Sequence, residues 1–167
     1  MPVRVGSIGA VYYGLSTDTK PTISNGHLFL ETDTNDLYAR INSVWRVINR
    51  TAIEYVIGDG NGTITVGVWG DAEVPFNCTI IAARLFADQS GSIVVAIWRD
   101  TFANYPPTSV DTITASARPT LSAAQASQDT TLTGWTTALV AGDTLRYNVV
   151  SVTSVRRVLI SLLVRVQ

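Results

Sequence analysis

The sequence predicts an all-β protein: a C-terminal antiparallel β-sandwich of jelly-roll type, preceded by an extended N-terminal arm and a small β meander. Three observations carry that expectation. Apolar residues recur with period two along much of the chain, and helical spacing is scarce. Gly, Asn, Asp and Pro interrupt the runs at short intervals, as in sandwiches and barrels. Charged residues make up only 15% of the 167 positions, against a usual quarter. Thr, Ser, Asn and Gln must therefore supply the polar surface, which suits a β-rich chain or one partly hidden in an assembly.

Residues 1–50 form the first predicted segment, an attachment or oligomerisation region. Positions 1–26 read as an arm broken by Gly6, Gly9 and Gly14, with Pro21 to Gly26 rich in turn formers. Tyr12 and Tyr13 are candidates for packing against a neighbour, which would give the arm its order. Strands are expected at His27–Glu31, Leu37–Ile41 and Val44–Ile48. Thr32 to Asp36 and the two-residue signal Asn42-Ser43 supply the turns. Three such strands bury little by themselves and must lean on something larger.

Residues 51–167 form the second predicted segment, the sandwich. Residues 49–57 read as a linker or a first strand, and Gly58-Asp59-Gly60-Asn61-Gly62 is the strongest break in the chain. Strands are expected at Thr63–Val68 and, briefly, Glu73–Phe76. Cys78–Ala87 and Ser92–Arg99 follow, separated by a turn at Asp88–Gly91. Pro106-Pro107 stops any strand. Residues 108–130 are small and polar, with one possible helical turn at Ser122–Ser127. The long crossover between residues 100 and 130 is expected to carry the chain from one sheet to the other, which favours a jelly roll over an up-and-down barrel. Leu145–Val152 and Val155–Val166 close the domain. In the last strand Val158, Ile160, Leu162, Val164 and Val166 share a face, with Leu159 and Leu163 on the other. A free sandwich is polar outside, so Leu159 and Leu163 are candidates for a covered outer face, under the meander or another subunit.

Charge and chemistry exclude several function classes. Net charge is −1, and Arg156-Arg157 is the only adjacent basic pair, so no nucleic-acid footprint is expected. No apolar run approaches the roughly 20 residues of a membrane helix, and no secretory signal is read at the N-terminus. Cys78 stands alone in an apolar setting, as an inert buried thiol does. His27 is the single histidine and has no placeable Ser or Asp partner, so no catalytic residue is assigned. Asp59-Gly60-Asn61-Gly62 lacks the later ligands of a calcium loop, and Glu31, Asp33 and Asp36 read as a polar turn. No metal or cofactor is therefore expected. Asp71, Glu73, Asp88 and Asp100 lie at strand ends and turns, with no reason in the sequence to pair any two as an acid and a base. Aromatics near turns make Trp69, Tyr105 and Trp135 the candidates for stacking on a glycan, whereas Trp45 and Trp98 lie inside strand patterns and are expected in the core.

Two stretches resemble bacteriophage proteins. Gly26-His27-Leu28-Phe29-Leu30-Glu31-Thr32-Asp33-Thr34, with Leu37-Tyr38 and Val44-Trp45, resembles a short β module common in tail-fibre and other virion proteins. Val74 to Ile80, Ala87 to Val95, Ile97-Trp98-Arg99-Asp100, Tyr105-Pro106-Pro107-Thr108, Gly134-Trp135 and Ala141-Gly142-Asp143 are similar to a domain of phage fibre and appendage proteins. Position 96 is Ala, where that pattern has an acidic residue. The second resemblance covers roughly residues 58–166. It implies a β-sandwich of jelly-roll type, usually in symmetric homo-oligomers and often trimers, with host-glycan binding in some relatives. The expectation is a non-enzymatic virion protein made in the bacterial host cytoplasm. Its partners would be copies of itself and other phage structural proteins of tail, baseplate or capsid. It would serve as a tail-fibre or appendage component, or alternatively as a capsid decoration or cement protein, a head fibre.

Overall fold

The computed structural model describes residues 9–167. The chain divides into two compact units, Met1–Arg50 and Thr51–Gln167.

The first unit is a four-stranded sheet in the order β1 (Val11–Gly14), β2 (Leu28–Glu31), β3 (Leu37–Ile41), β4 (Val44–Val47). The meander β2–β3–β4 is antiparallel. Asn42 and Ser43 both take positive φ, at 49° and 62°, as a two-residue hairpin of the primed type requires. The arm departs from expectation. Residues 11–14 do not run free but join the meander as a parallel edge strand on β2. The first eight residues of the predicted arm lie outside the described residues.

So small a sheet has little apolar core, and a polar network holds it. Glu31 is buried and accepts hydrogen bonds from Lys20 Nζ (2.6 Å) and Thr34 Oγ1 (2.7 Å). Lys20 Nζ also lies over the rings of Tyr38 (4.2 Å) and Phe29 (4.9 Å). Asp33 accepts from the backbone and hydroxyl of Ser16 (2.8 and 2.6 Å). Asp36, also buried, is paired with the guanidinium of Arg50. The Glu-Thr-Asp-Thr run thus ties the arm to the meander through charge-assisted bonds.

The second unit is a β-sandwich. β5 (Arg50–Ile57), β6 (Gly67–Glu73), β7 (Cys78–Thr101), β8 (Thr120–Asp129), β9 (Ala138–Leu139), β10 (Asp143–Thr153) and β11 (Val158–Val166) follow in chain order. Two 3-10 turns, Phe102–Asn104 and Ser109–Asp111, lie between β7 and β8. β7 has 24 residues and belongs to both layers. Its first half pairs with β11 and with the end of β8, and its second half with β10 and the start of β8. One layer therefore reads β5–β11–β7–β8 and the other β6–β10–β7–β8. Setting aside the two-residue β9, which pairs with Cys78 and Thr79, and counting each half of β7 and β8 as a strand, eight strands form two sheets in the order of a jelly roll.

The layer change corrects the sequence expectation. No turn separates two strands at Asp88–Gly91; the strand bends there and continues. β8 bends opposite it, with Ala123 at φ 48° and the pairing register shifting on both sides of Gly91. Strands that switch sheets through bulges make such corners. The loop between β7 and β8 begins and ends in the same layer, so it is not the crossover between sheets. Ser122–Ser127 is strand, not a helical turn. Likewise Thr63–Val66 is not strand, because β6 starts at Gly67, and Val74 to Asn77 is irregular.

The core fills the space between the layers. Ile57, Ile80, Leu85, Ile93, Ile97, Leu121, Leu145, Tyr147, Ile160 and Leu162 are almost fully buried. Tyr147 stacks on Tyr55 at 4.6 Å between ring centroids, and the Tyr55 hydroxyl donates to the Trp69 carbonyl (3.0 Å). Gly70, at φ +152°, makes this possible, since a Cβ there would lie 2.0 Å from the Tyr55 hydroxyl oxygen. Cys78 is buried, and desolvation pushes its thiol pKa up, with the charge of Asp143 adding to the effect.

Candidate functional site

A groove of about 420 Å³ opens on the outer side of the β6–β10 layer. Strand register builds its floor. Asp71 faces Arg146, and Glu73 faces Thr144, as direct cross-strand partners, and direct partners share one face of a sheet. Buried Leu145 and Tyr147 point the other way, into the core. The wall is the segment after β7. Asp100 fastens it by accepting from Thr101 N (2.7 Å) and Asn104 Nδ2 (3.1 Å). Further along, Thr108 donates both its backbone N–H and its hydroxyl to Asp111 Oδ2 (2.7 and 2.8 Å). The segment presents Phe102, 83% exposed, and Tyr105, 52% exposed.

One network locks the groove. Arg146 donates from Nε and from one terminal nitrogen to the two oxygens of Asp71 (2.7 and 2.8 Å). The same terminal nitrogen reaches the Tyr105 hydroxyl (3.1 Å), which donates to Asp71 Oδ2 (2.9 Å). The guanidinium also lies 5.2 Å from the Tyr105 ring centroid. Bidentate pairing of this kind is both strong and geometrically specific. It holds the Asp71 carboxyl below the usual carboxylate range, chiefly through the Arg146 hydrogen bond, and raises the Arg146 pKa. Glu73 is exposed, and its carboxylate has no hydrogen bond or ion pair among the described residues.

The three stacking candidates are not gathered in one place. Tyr105 lines the groove. Trp69 sits at the bulge where the β6–β10 register skips a residue; it packs on the core and donates to Thr65 O (2.8 Å). Trp135 is 9% exposed and donates to Ala117 O (2.7 Å), under the loop that precedes β8. Trp98, expected in the core, is half-buried, and it is the cross-strand partner of Arg146 on the outer face. Tyr12 packs at 5.7 Å from the His27 ring in the first unit, and Tyr13 is 67% exposed on β1. Leu159 and Leu163 are half-buried on the outward side of β11.

Sequence reasoning did not find Phe102, Thr144 or Arg146, and saw no link between Asp71 and Glu73. The spacing of those two acids held the available signal, because positions i and i+2 on one strand share a face. Among the described residues, no group of three or more His, Cys, Asp and Glu is arranged to hold a metal ion, and no helix is long and apolar enough to cross a membrane. Arg156 and Arg157 donate their backbone N–H groups to Asp88 Oδ1 (3.2 and 3.1 Å). The fold and groove together define a β-sandwich with a surface recess walled by aromatics. Comparison of the chain with protein-family models, curated proteins and solved structures finds no match.

Proposed function

We propose that this chain is a non-enzymatic structural protein of a bacteriophage particle, an oligomeric tail-fibre or appendage component with an adhesive surface. The observation that carries the reading is the outer face of the β5–β11 layer, which a free sandwich would keep polar. There Leu159, Phe86 and Ala126 lie side by side across three strands, and Leu163 adjoins Ala82. Phe86 is 46% exposed and Val56, on neighbouring β5, is 52% exposed. Sister copies would seal this surface, and virion proteins work as such assemblies. The tying of an N-terminal arm into a compact sheet suits attachment to a larger body.

The state of Asp71 supports a non-enzymatic role. Glycoside hydrolysis needs one carboxyl kept protonated at working pH by a raised pKa. Asp71 is shifted the opposite way by Arg146, so it would not serve as that acid.

The test is location and copy number on purified particles, by gold-labelled antibody in electron microscopy and quantitative mass spectrometry. A few tens of copies at the tail or baseplate support an appendage. Hundreds of copies over the shell would assign the chain to capsid decoration instead. Its absence from particles would overturn both.

A further inference from the structure

We propose that the groove on the β6–β10 layer binds a neutral saccharide, with Phe102 and Tyr105 as stacking surfaces and Glu73, Asp71 and Thr144 as hydroxyl-binding groups. This deepens the adhesive part of the reading above and rests on it.

Three features select that ligand class. First, Phe102 is 83% exposed and Tyr105 52% exposed at one rim. An exposed phenyl ring on a fastened 3-10 turn has no folding role that would keep it there. Its face is matched by the flat, C–H-rich side of a pyranose. Tyr105 is held from one side by Arg146 and Asp71, so its ring is set before any ligand arrives. A preset aromatic loses little freedom on binding.

Second, the polar groups suit hydroxyls. Glu73 keeps both carboxylate oxygens available as acceptors, the arrangement that takes two adjacent sugar hydroxyls at once. Asp71 has accepted three bonds, from Arg146 twice and Tyr105 once, which leaves it room for one more. Thr144 adds a hydroxyl that can donate or accept.

Third, the charge is wrong for an anion. Asp71 neutralises the Arg146 guanidinium through two bonds, and no Lys, Arg or His lines the groove. Glu73 and Asp71 would repel a sialate, a uronate or a phosphate. The same carboxylates disfavour a buried contact with a second copy of this chain, which would leave Glu73 unpaired. The size also fits, since about 420 Å³ lies within the range of small-ligand clefts.

The experiment is a titration of the full isotope-labelled chain with maltohexaose, cellohexaose and fully N-acetylated chitohexaose, and with oligogalacturonate as the acidic control, followed by amide chemical shifts. Shifts at residues 71–73, 102–105 and 144 with a neutral sugar, and none with oligogalacturonate, support the proposal. Phe102→Ala should then weaken binding about tenfold, the scale of one lost aromatic contact, and Glu73→Gln should weaken it as well. Val110→Ala, at an 87% exposed site on the same loop, should leave it unchanged. No neutral sugar shifting these residues at millimolar concentration would overturn the proposal. So would preference for oligogalacturonate, or equal binding by Phe102→Ala. These outcomes are separate from particle location: a virion protein with a silent groove loses only this inference, and a sugar-binding chain missing from particles loses only the virion reading.

Discussion

Asp71 is the residue on which the groove's geometry turns, because it joins β6, β10 and the segment after β7 in one hydrogen-bonded set. Its side chain is 22% exposed and that of Arg146 is 16% exposed, so solvent screens the pair less than it would an open surface pair. Asp71→Asn keeps the shape but loses the charge, and should cost about 1–2 kcal/mol near pH 7. The pH dependence follows from the direction of the shift. The folded-state pKa is depressed below the unfolded value of about 3.9. The carboxylate's stabilisation is therefore complete above that value and is lost as pH falls through the lower folded pKa. Thermal melts of the native chain and Asp71→Asn should differ most at neutral pH and converge as the pH falls through the depressed folded-state value. A gap that stayed constant across this range would mean the ion pair contributes nothing.

At the scale of elements, the defining event is the passage of β7 from one layer to the other. Gly91 allows it. A Cβ at that position would lie 2.6 Å from the Thr153 carbonyl oxygen and 2.8 Å from Val155 Cγ2, and the first of these is backbone that cannot swing aside. Gly91→Ala should therefore destabilise the sandwich by about 1–3 kcal/mol, read as a lower urea midpoint with an unchanged slope. An unaltered midpoint would show that the corner is pliable. The same corner marks where the sequence stops being legible. β3 and β11 stand out because their apolar residues alternate and turn formers bound them. The jelly roll itself is expected from strand count and spacing, yet the crossover blamed for the sheet change stays within one layer. Asp-Gln-Ser-Gly looks like a turn because its composition is that of turns, whereas strand pairing on both sides keeps it extended. β8 escapes notice because Ala, Ser and Gln carry no period, so its strand state comes from its partner β7. The groove is harder still to read. Asp71 and Arg146 are 75 positions apart, and only the register of β6 on β10 makes them neighbours.

For the whole molecule, the two outer faces of the sandwich differ in kind, and the difference predicts behaviour in solution. The β6–β10 face carries the charged groove. The β5–β11 face carries Phe86, Leu159, Leu163 and Val56, crossed by a polar row in which Arg84 Nε donates to Gln128 Oε1 (2.8 Å) and Ser161 is the cross-strand neighbour. An apolar patch beside satisfied polar side chains has the composition of a subunit interface. Net charge of −1 puts little repulsion between copies. The native chain should therefore self-associate reversibly at micromolar concentration. Phe86→Glu should weaken that association about a hundredfold, as loss of a central aromatic anchor does, without unfolding the chain, because Phe86 is 46% exposed. Sedimentation equilibrium of both proteins measures this, and a native chain that stays monomeric at 100 times that scale would rule the interface out. The two faces are then separable in function. A single shallow groove binds weakly, and copies joined through the other face would raise avidity on a repetitive surface without any new contact. Phe86→Glu should consequently lower retention on a polysaccharide-coated surface while leaving the affinity for one short sugar intact, whereas Phe102→Ala should lower both.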